Sequence, residues 1–154
     1  MTAMNDSINL VDYVTFTTAG QLFGLPIERV QDVFKPARIT RVPLAGPQIA
    51  GVLNLRGRIV TAIHLSNRLG MDSAAPPTTP MAIGIECGPE SFGLLVDAVG
   101  EVLRLPQSEL EENPINLDRK LARVSAGVHR LDDQLLVVLD VDRVLDLGVE
   151  LAAA

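Results

Sequence analysis

The sequence predicts an all-β fold of two similar small β-barrels packed side by side, with short helical turns. Short β-branched runs are punctuated every few residues by Gly and Pro, and the second half of the chain repeats motifs of the first. Two copies are too few for a solenoid, so paired barrels are the simplest way to bury both. The 154 residues fit one domain or two very small ones, and roughly 68–70% of the unfolded surface can be buried at this length.

Residues 1–10 read as a short mobile tail before a single domain over 11–154. From Asp12 to Thr17 polar and β-branched or aromatic residues alternate, Ala19-Gly20 offers a turn, and Gln21–Leu25 resumes, which predicts a hairpin. Further strands are expected at Val30–Phe34 before Pro36, at Arg38–Val42 before Pro43, at Gly51–Leu55, and at Arg58–Leu65 after an Arg56-Gly57 turn. Ser66–Gly70 suits one helical turn, with Ser66 as N-cap and Gly70 as the left-handed C′ residue. Ser73–Pro80, rich in Pro, predicts an extended connector. The first barrel is therefore placed at 11–75 and the second at 76–154, as approximate bounds across which strands can exchange.

The repeat has a defined register. Phe23-Gly24-Leu25 recurs as Phe92-Gly93-Leu94, at an offset of 69, and Asp32-Val33 recurs at the same offset as Glu101-Val102. Gly51-Val52 recurs as Gly127-Val128 at an offset of 76, which also aligns Ile59–Ile63 with Leu135–Leu139. The extra length falls in a longer loop, Gln107 to Arg123, where Ser108 and Glu111 stand at capping-box spacing and predict a helical turn or two. Charge is not repeated: residues 1–75 hold seven Lys/Arg and five Asp/Glu, residues 76–154 hold six and 14. One scaffold thus presents two electrostatically different faces.

Composition excludes several functions. A net charge of −6, 3% aromatic residues and no Trp leave neither a phosphate-neutralising surface nor a stacking platform, so nucleic acid is not expected as a partner. The single Cys87 can form no internal disulfide and suits a reducing compartment. Met1–Leu10 has no basic region followed by an apolar run, and the apolar runs elsewhere are interrupted, so neither a signal peptide nor a membrane span is expected. Catalysis lacks a convergent set of groups. His64 and His129 lie near strand ends with no ligand at metal-binding spacing, Cys87 has no basic neighbour to lower its pKa, and Glu109, Glu111 and Glu112 lack a calcium-loop glycine. These residues read as structural or solvated, and no catalytic residue, metal site or cofactor is expected.

Gly51–Val60 holds the most informative motif. Gly57 permits positive φ in a tight turn between two apolar strands, which holds Arg56 and Arg58 out at the barrel rim. A turn that is merely basic is one reading. The repeat sharpens the other, because at the offset of 76 the equivalent turn carries Asp132 and Asp133, of opposite charge.

Asn54-Leu55-Arg56-Gly57, inside Gly-Val-x-Asn-Leu-Arg-Gly-x-Ile-Val, resembles the signature of CheW-like domains, the coupling proteins of bacterial chemotaxis arrays. The resemblance runs from about Tyr13 to Leu147 and includes the Phe23–Val30 opening, the Val42-Pro43 step and Phe92–Val102. It implies two five-stranded, SH3-like barrels and a non-enzymatic cytoplasmic adaptor without phosphotransfer activity of its own. Such an adaptor ties the cytoplasmic tips of chemoreceptors (methyl-accepting chemotaxis proteins) to the regulatory domain of a histidine autokinase and is recruited to membrane-associated arrays. Association with other CheW-like domains in rings stays open. The implied receptor-binding groove between the barrels takes in Val30, Gly51, Asn54, Arg56, Gly57 and Gly93. Arg56 either bonds a receptor carboxylate or braces the groove internally.

Two alternatives accompany this expectation: an adaptor of the same fold in a non-flagellar pathway such as twitching or developmental signalling, and a ligand-binding barrel. The chain departs from the family pattern at His64-Leu65-Ser66, where Asp-Leu-Arg is common, and its residues end soon after Leu147.

Overall fold

A computed structural model describes residues 9–43, 46, 48–71 and 79–146. Ten strands follow one another: β1 (Leu10–Thr18), β2 (Gln21–Pro26), β3 (Val30–Phe34), β4 (Ile49–Leu55), β5 (Arg58–His64), β6 (Met81–Cys87), β7 (Glu90–Val96), β8 (Ala98–Pro106), β9 (Ser125–Arg130) and β10 (Leu135–Leu139). Three single-turn helices punctuate them: α1 (Leu65–Arg68), α2 (Arg119–Ala122) and α3 (Val141–Val144). None of the described helices is long and apolar enough to cross a membrane.

The strands form two five-stranded sheets, in the orders β8-β1-β2-β10-β9 and β3-β6-β7-β5-β4. Strands do exchange across the 75/76 boundary: the first sheet joins β1 and β2 to three strands of the second half, and the second joins β3–β5 to β6 and β7. The join in each sheet is a parallel pair. Val137 of β10 lies opposite Phe23 of β2, and Thr61 of β5 lies opposite Phe92 of β7, so the offsets of 76 and 69 reappear as matching register.

Both predicted hairpin turns form for the expected reason. Ala19-Gly20 takes φ of 51° and 81°, and Arg56-Gly57 takes 53° and 85°, two positive-φ residues between antiparallel strands that twist with the right hand. Each sheet is then closed by one isolated bridge. Thr40 exchanges two 2.8 Å backbone hydrogen bonds with Val52, and Glu111 bonds Val128 in the same way, 2.8 and 2.9 Å. Where those segments cross, Gly51 and Gly127 adopt φ of 149° and 142°, and a Cβ on Gly51 would strike the carbonyl oxygen of Thr40. That close approach is why glycine recurs at an offset of 76.

Several local expectations are corrected. Arg38–Val42 is not a strand; only Thr40 bridges, and no ladder forms in this segment between Pro36 and Pro43. The cap of α1 is His64 rather than Ser66, and its side chain makes no capping bond, whereas Gly70 takes the expected positive φ of 68°. Ser108 caps nothing: Gln107–Glu109 is a 3-10 turn without a side-chain cap, and the helix of that loop, α2, is capped by Asp118, whose Oδ1 accepts from Lys120 N at 2.8 Å. Strand β1 begins at Leu10, inside the expected tail, and Asn9 O accepts from Gln107 N. Most of the expected tail (1–8), most of the Pro-rich connector (72–78) and residues 147–154 lie outside the described residues.

The main core is shared by both sheets. Phe16, Phe23 and Leu25 of one sheet and Ile63, Ile83, Ile85 and Leu94 of the other belong to one fully buried cluster, with Leu65, Val141 and Val144 of the helices. A second cluster, Leu53, Val60, Ala62, Ala82 and Leu95, lies within the β3–β7 sheet. Strands β6 and β7 thus bury both faces, one against each cluster, and read as continuous apolar runs rather than alternating ones.

Candidate functional site

The signature motif is built on turn chemistry. Asn54, exposed near the end of β4, accepts the Gly57 N–H on its Oδ1 at 2.9 Å and locks the two-residue turn. Arg56, at φ 53°, is thereby held out into solvent, and its side chain has no hydrogen bond or ion pair among the described residues. The bracing role belongs to its neighbour. Arg58 Nη1 donates to Glu86 Oε2 and Nη2 to Gln31 Oε1, both at 3.3 Å, tying the turn to β6 and to β3 beside Val30. Of the two roles open to Arg56, the internal brace is therefore not the one this geometry supplies.

The six expected groove residues do not form one surface. Asn54, Arg56 and Gly57 share the turn, and Val30, half-buried at the start of β3, is linked to it through Gln31 and Arg58. Gly51 is buried beneath the Thr40 crossing. Gly93 is also buried, in β7; a Cβ there would meet Val60 Cγ1 at 3.5 Å and Phe34 Cζ at 3.7 Å, ordinary contact distances inside the barrel.

Two features went unread in the sequence. A cleft of about 360 Å³ beside the turn is lined by Phe34, Leu55 and Ile59, with Lys35, Arg38 and Asn54 contributing the polar side. Ile59 is 65% exposed. The second feature is a pair of exposed valines: Val33 on β3 and Val102 on β8, 40% and 53% exposed. They are matched by the offset of 69 and occupy equivalent positions on an edge strand of each sheet, so the repeat already paired them; only exposure shows that both face outward. Apolar residues on exposed edge strands are an invitation to a partner protein.

The other candidates have structural settings. His129 is buried, edge-on to Tyr13 with ring centroids 5.5 Å apart, and burial pulls its pKa below the ordinary histidine value while Glu109 and Glu111 oppose the shift. His64 is half-buried, and burial lowers its pKa as well. Glu111 pairs with Arg130 at 3.0 Å, and Cys87 is a half-buried free thiol. No three His, Cys, Asp or Glu side chains converge as a metal site among the described residues.

Comparison with known proteins places this architecture. The family model of the CheW-like domain matches residues 12–148, a span that contains all ten strands apart from the first residues of β1. The chain belongs to the CheW-like family. It is 27% identical over 146 residues to the chemotaxis protein CheW of Thermotoga maritima, covering 95% of each chain, and 28% identical over 136 residues to that of Rhizobium meliloti, covering 86% of each. Among solved structures, the scaffolding protein TtCheW from Thermoanaerobacter tengcongensis superposes with a TM-score of 0.75 at 32% identity, over 84% of this chain and 83% of that one. The CheW-like assignment agrees with the two five-stranded sheets and with the motif at Asn54–Gly57.

Proposed function

We propose that this CheW-like chain is a non-enzymatic adaptor of bacterial chemotaxis signalling, coupling the cytoplasmic tips of chemoreceptors to the regulatory domain of a histidine autokinase. The observation that carries this reading is the family match over residues 12–148, supported by relatives named as chemotaxis proteins over nearly their whole length. The surface fits a helical partner: an unpartnered Arg56 offers a bidentate donor for a carboxylate, and Ile59 with the adjoining cleft offers apolar area for the helix's apolar stripe. Val30, Asn54 and Gly57 act in this reading by setting the position of that turn, and Gly51 by letting the barrel behind it close, while Gly93 lies in the barrel interior. The protein works in the cytoplasm at receptor arrays. Its mechanism is positional, since holding two partners in one lattice raises their effective concentration and lets modest affinities add up.

Isothermal titration with the isolated regulatory domain of a histidine autokinase from the same genome tests the adaptor reading. Saturable one-to-one binding is expected. No binding by folded protein to any such domain would mean that the family fold serves another role here.

A further inference from the structure

Although the chain is acidic overall, one cleft gathers cations. It occupies about 460 Å³ where the three short helices approach one another, and it is lined by Arg68 of α1, Lys120 of α2, Arg123 just beyond it and Arg143 of α3, against one carboxylate among the described residues, that of Asp146. Arg68 builds the frame: its Nε and Nη2 donate to the carbonyls of Val144 at 2.7 Å and Arg143 at 2.9 Å, joining the end of α1 to the end of α3. Lys120 Nζ donates to the carbonyl of Gly70 at 3.3 Å. A carbonyl partner satisfies a donor without cancelling its charge, so this bond fixes the Lys120 ammonium and leaves its field in place. Arg143 meets Asp140 only at 3.6 Å on the surface, and the exposed Arg123 side chain has no ion pair or hydrogen bond among the described residues. None of these groups belongs to the signature turn or to the exposed edge strands.

We propose that this cleft docks an acidic segment of a partner protein, with successive carboxylates engaging Arg123 and Arg143 and Lys120 adding to the field. Lys120, Arg123 and Arg143 are all exposed, the first two one turn apart at the end of α2 and the third on α3. That spread suits charges repeated along a peptide, where a single small oxyanion would need convergent, enclosed donors. The assignment does not depend on which partner the signature turn binds.

The test is an NMR titration of the full, nitrogen-labelled chain with a hexaglutamate peptide, with hexaglutamine as the uncharged control. Saturable shifts confined to the amides of residues 67–70, 119–124 and 143–146 are expected, weakening as salt is raised. Arg123→Gln with Arg143→Gln should weaken binding roughly five- to tenfold, as expected for two exposed pairs, with the melting temperature unchanged. Should that double variant melt early, Arg123→Gln alone carries the comparison, since its side chain has no partner to lose. Absence of saturable shifts in those amides, equal shifts with hexaglutamine, or undiminished affinity in the folded variants would overturn the proposal. Saturation of the same amides by inorganic phosphate that hexaglutamate cannot displace would also overturn it, and would assign a small-anion site instead.

Discussion

In the β4–β5 corner Gly51 lets Thr40 bridge to Val52 and the turn displays Arg56; in the β9–β10 corner, its equivalent at the offset of 76, Gly127 lets Glu111 bridge to Val128 and the turn displays Asp132 and Asp133. The backbone device is the same and the charge it carries is reversed. The corners that follow differ as well. Asp140 caps α3 by accepting the Arg143 N–H at 3.2 Å, while its counterpart His64 caps α1 with no side-chain bond. Shared closure with divergent finish separates what holds the two halves together from what each half presents to partners.

The largest expected effect breaks the closure. Gly51→Ala sets a Cβ against the Thr40 carbonyl at a positive φ, and should cost about 3 kcal/mol of stability by chemical denaturation. Gly127→Ala, whose Cβ would lie 2.8 Å from the Glu111 carbonyl oxygen, should cost about 2 kcal/mol. Gly93→Ala, with ordinary contacts around it, should cost less than about 1 kcal/mol. Equal losses at all three would contradict a closure role for Gly51 and Gly127.

Next come the caps. Asp140→Ala should lose about 1 kcal/mol in thermal unfolding, and His64→Asp should gain up to about 1 kcal/mol by giving α1 the cap that α3 already has. The same position carries a pH effect. Burial lowers the pKa of His64 and His129 below 6.5, so the unfolded chain binds protons first as pH drops. Stability should therefore fall as pH is lowered through 6.5, and His64→Asp should remove the His64 share of that slope. A melting temperature flat across this window would contradict the assignment.

The smallest effects on folding lie at the signature turn. Arg58→Ala breaks exposed bonds to Glu86 and Gln31 and should cost at most about 1 kcal/mol, while Arg56→Ala should leave the melting temperature unchanged.

Local structure is legible in the sequence where chemistry is local. Two-residue turns with Gly at the second position define both hairpins, and offsets of 69 and 76 foretell the register of the two parallel pairs. Those offsets align residues without saying which sheet receives them, so the exchange of β1 and β2 against β6 and β7 is not readable in detail. Thr40 reads as part of a strand because one bridging residue leaves no periodicity of its own. Ser66 reads as a cap because hydroxyls often are, yet the cap falls two residues earlier, at His64, and the helix starts at buried Leu65. At the site, the motif marks the turn, but two arginines flanking one glycine read alike; partners in space divide them into a brace, Arg58, and an exposed group, Arg56. The buried settings of Gly51 and Gly93 are likewise invisible, because a glycine inside a barrel and one needed at a binding surface are the same letter.

The most direct measurement of the central claim is the affinity of a chemoreceptor cytoplasmic-tip fragment for three folded forms: wild type, Arg56→Ala, and Asp132→Ala with Asp133→Ala. The account predicts a loss of about tenfold or more for Arg56→Ala, as for removal of a bidentate charge contact, and no change at the equivalent acidic turn. Normal binding by Arg56→Ala, or equal losses at both turns, would contradict it.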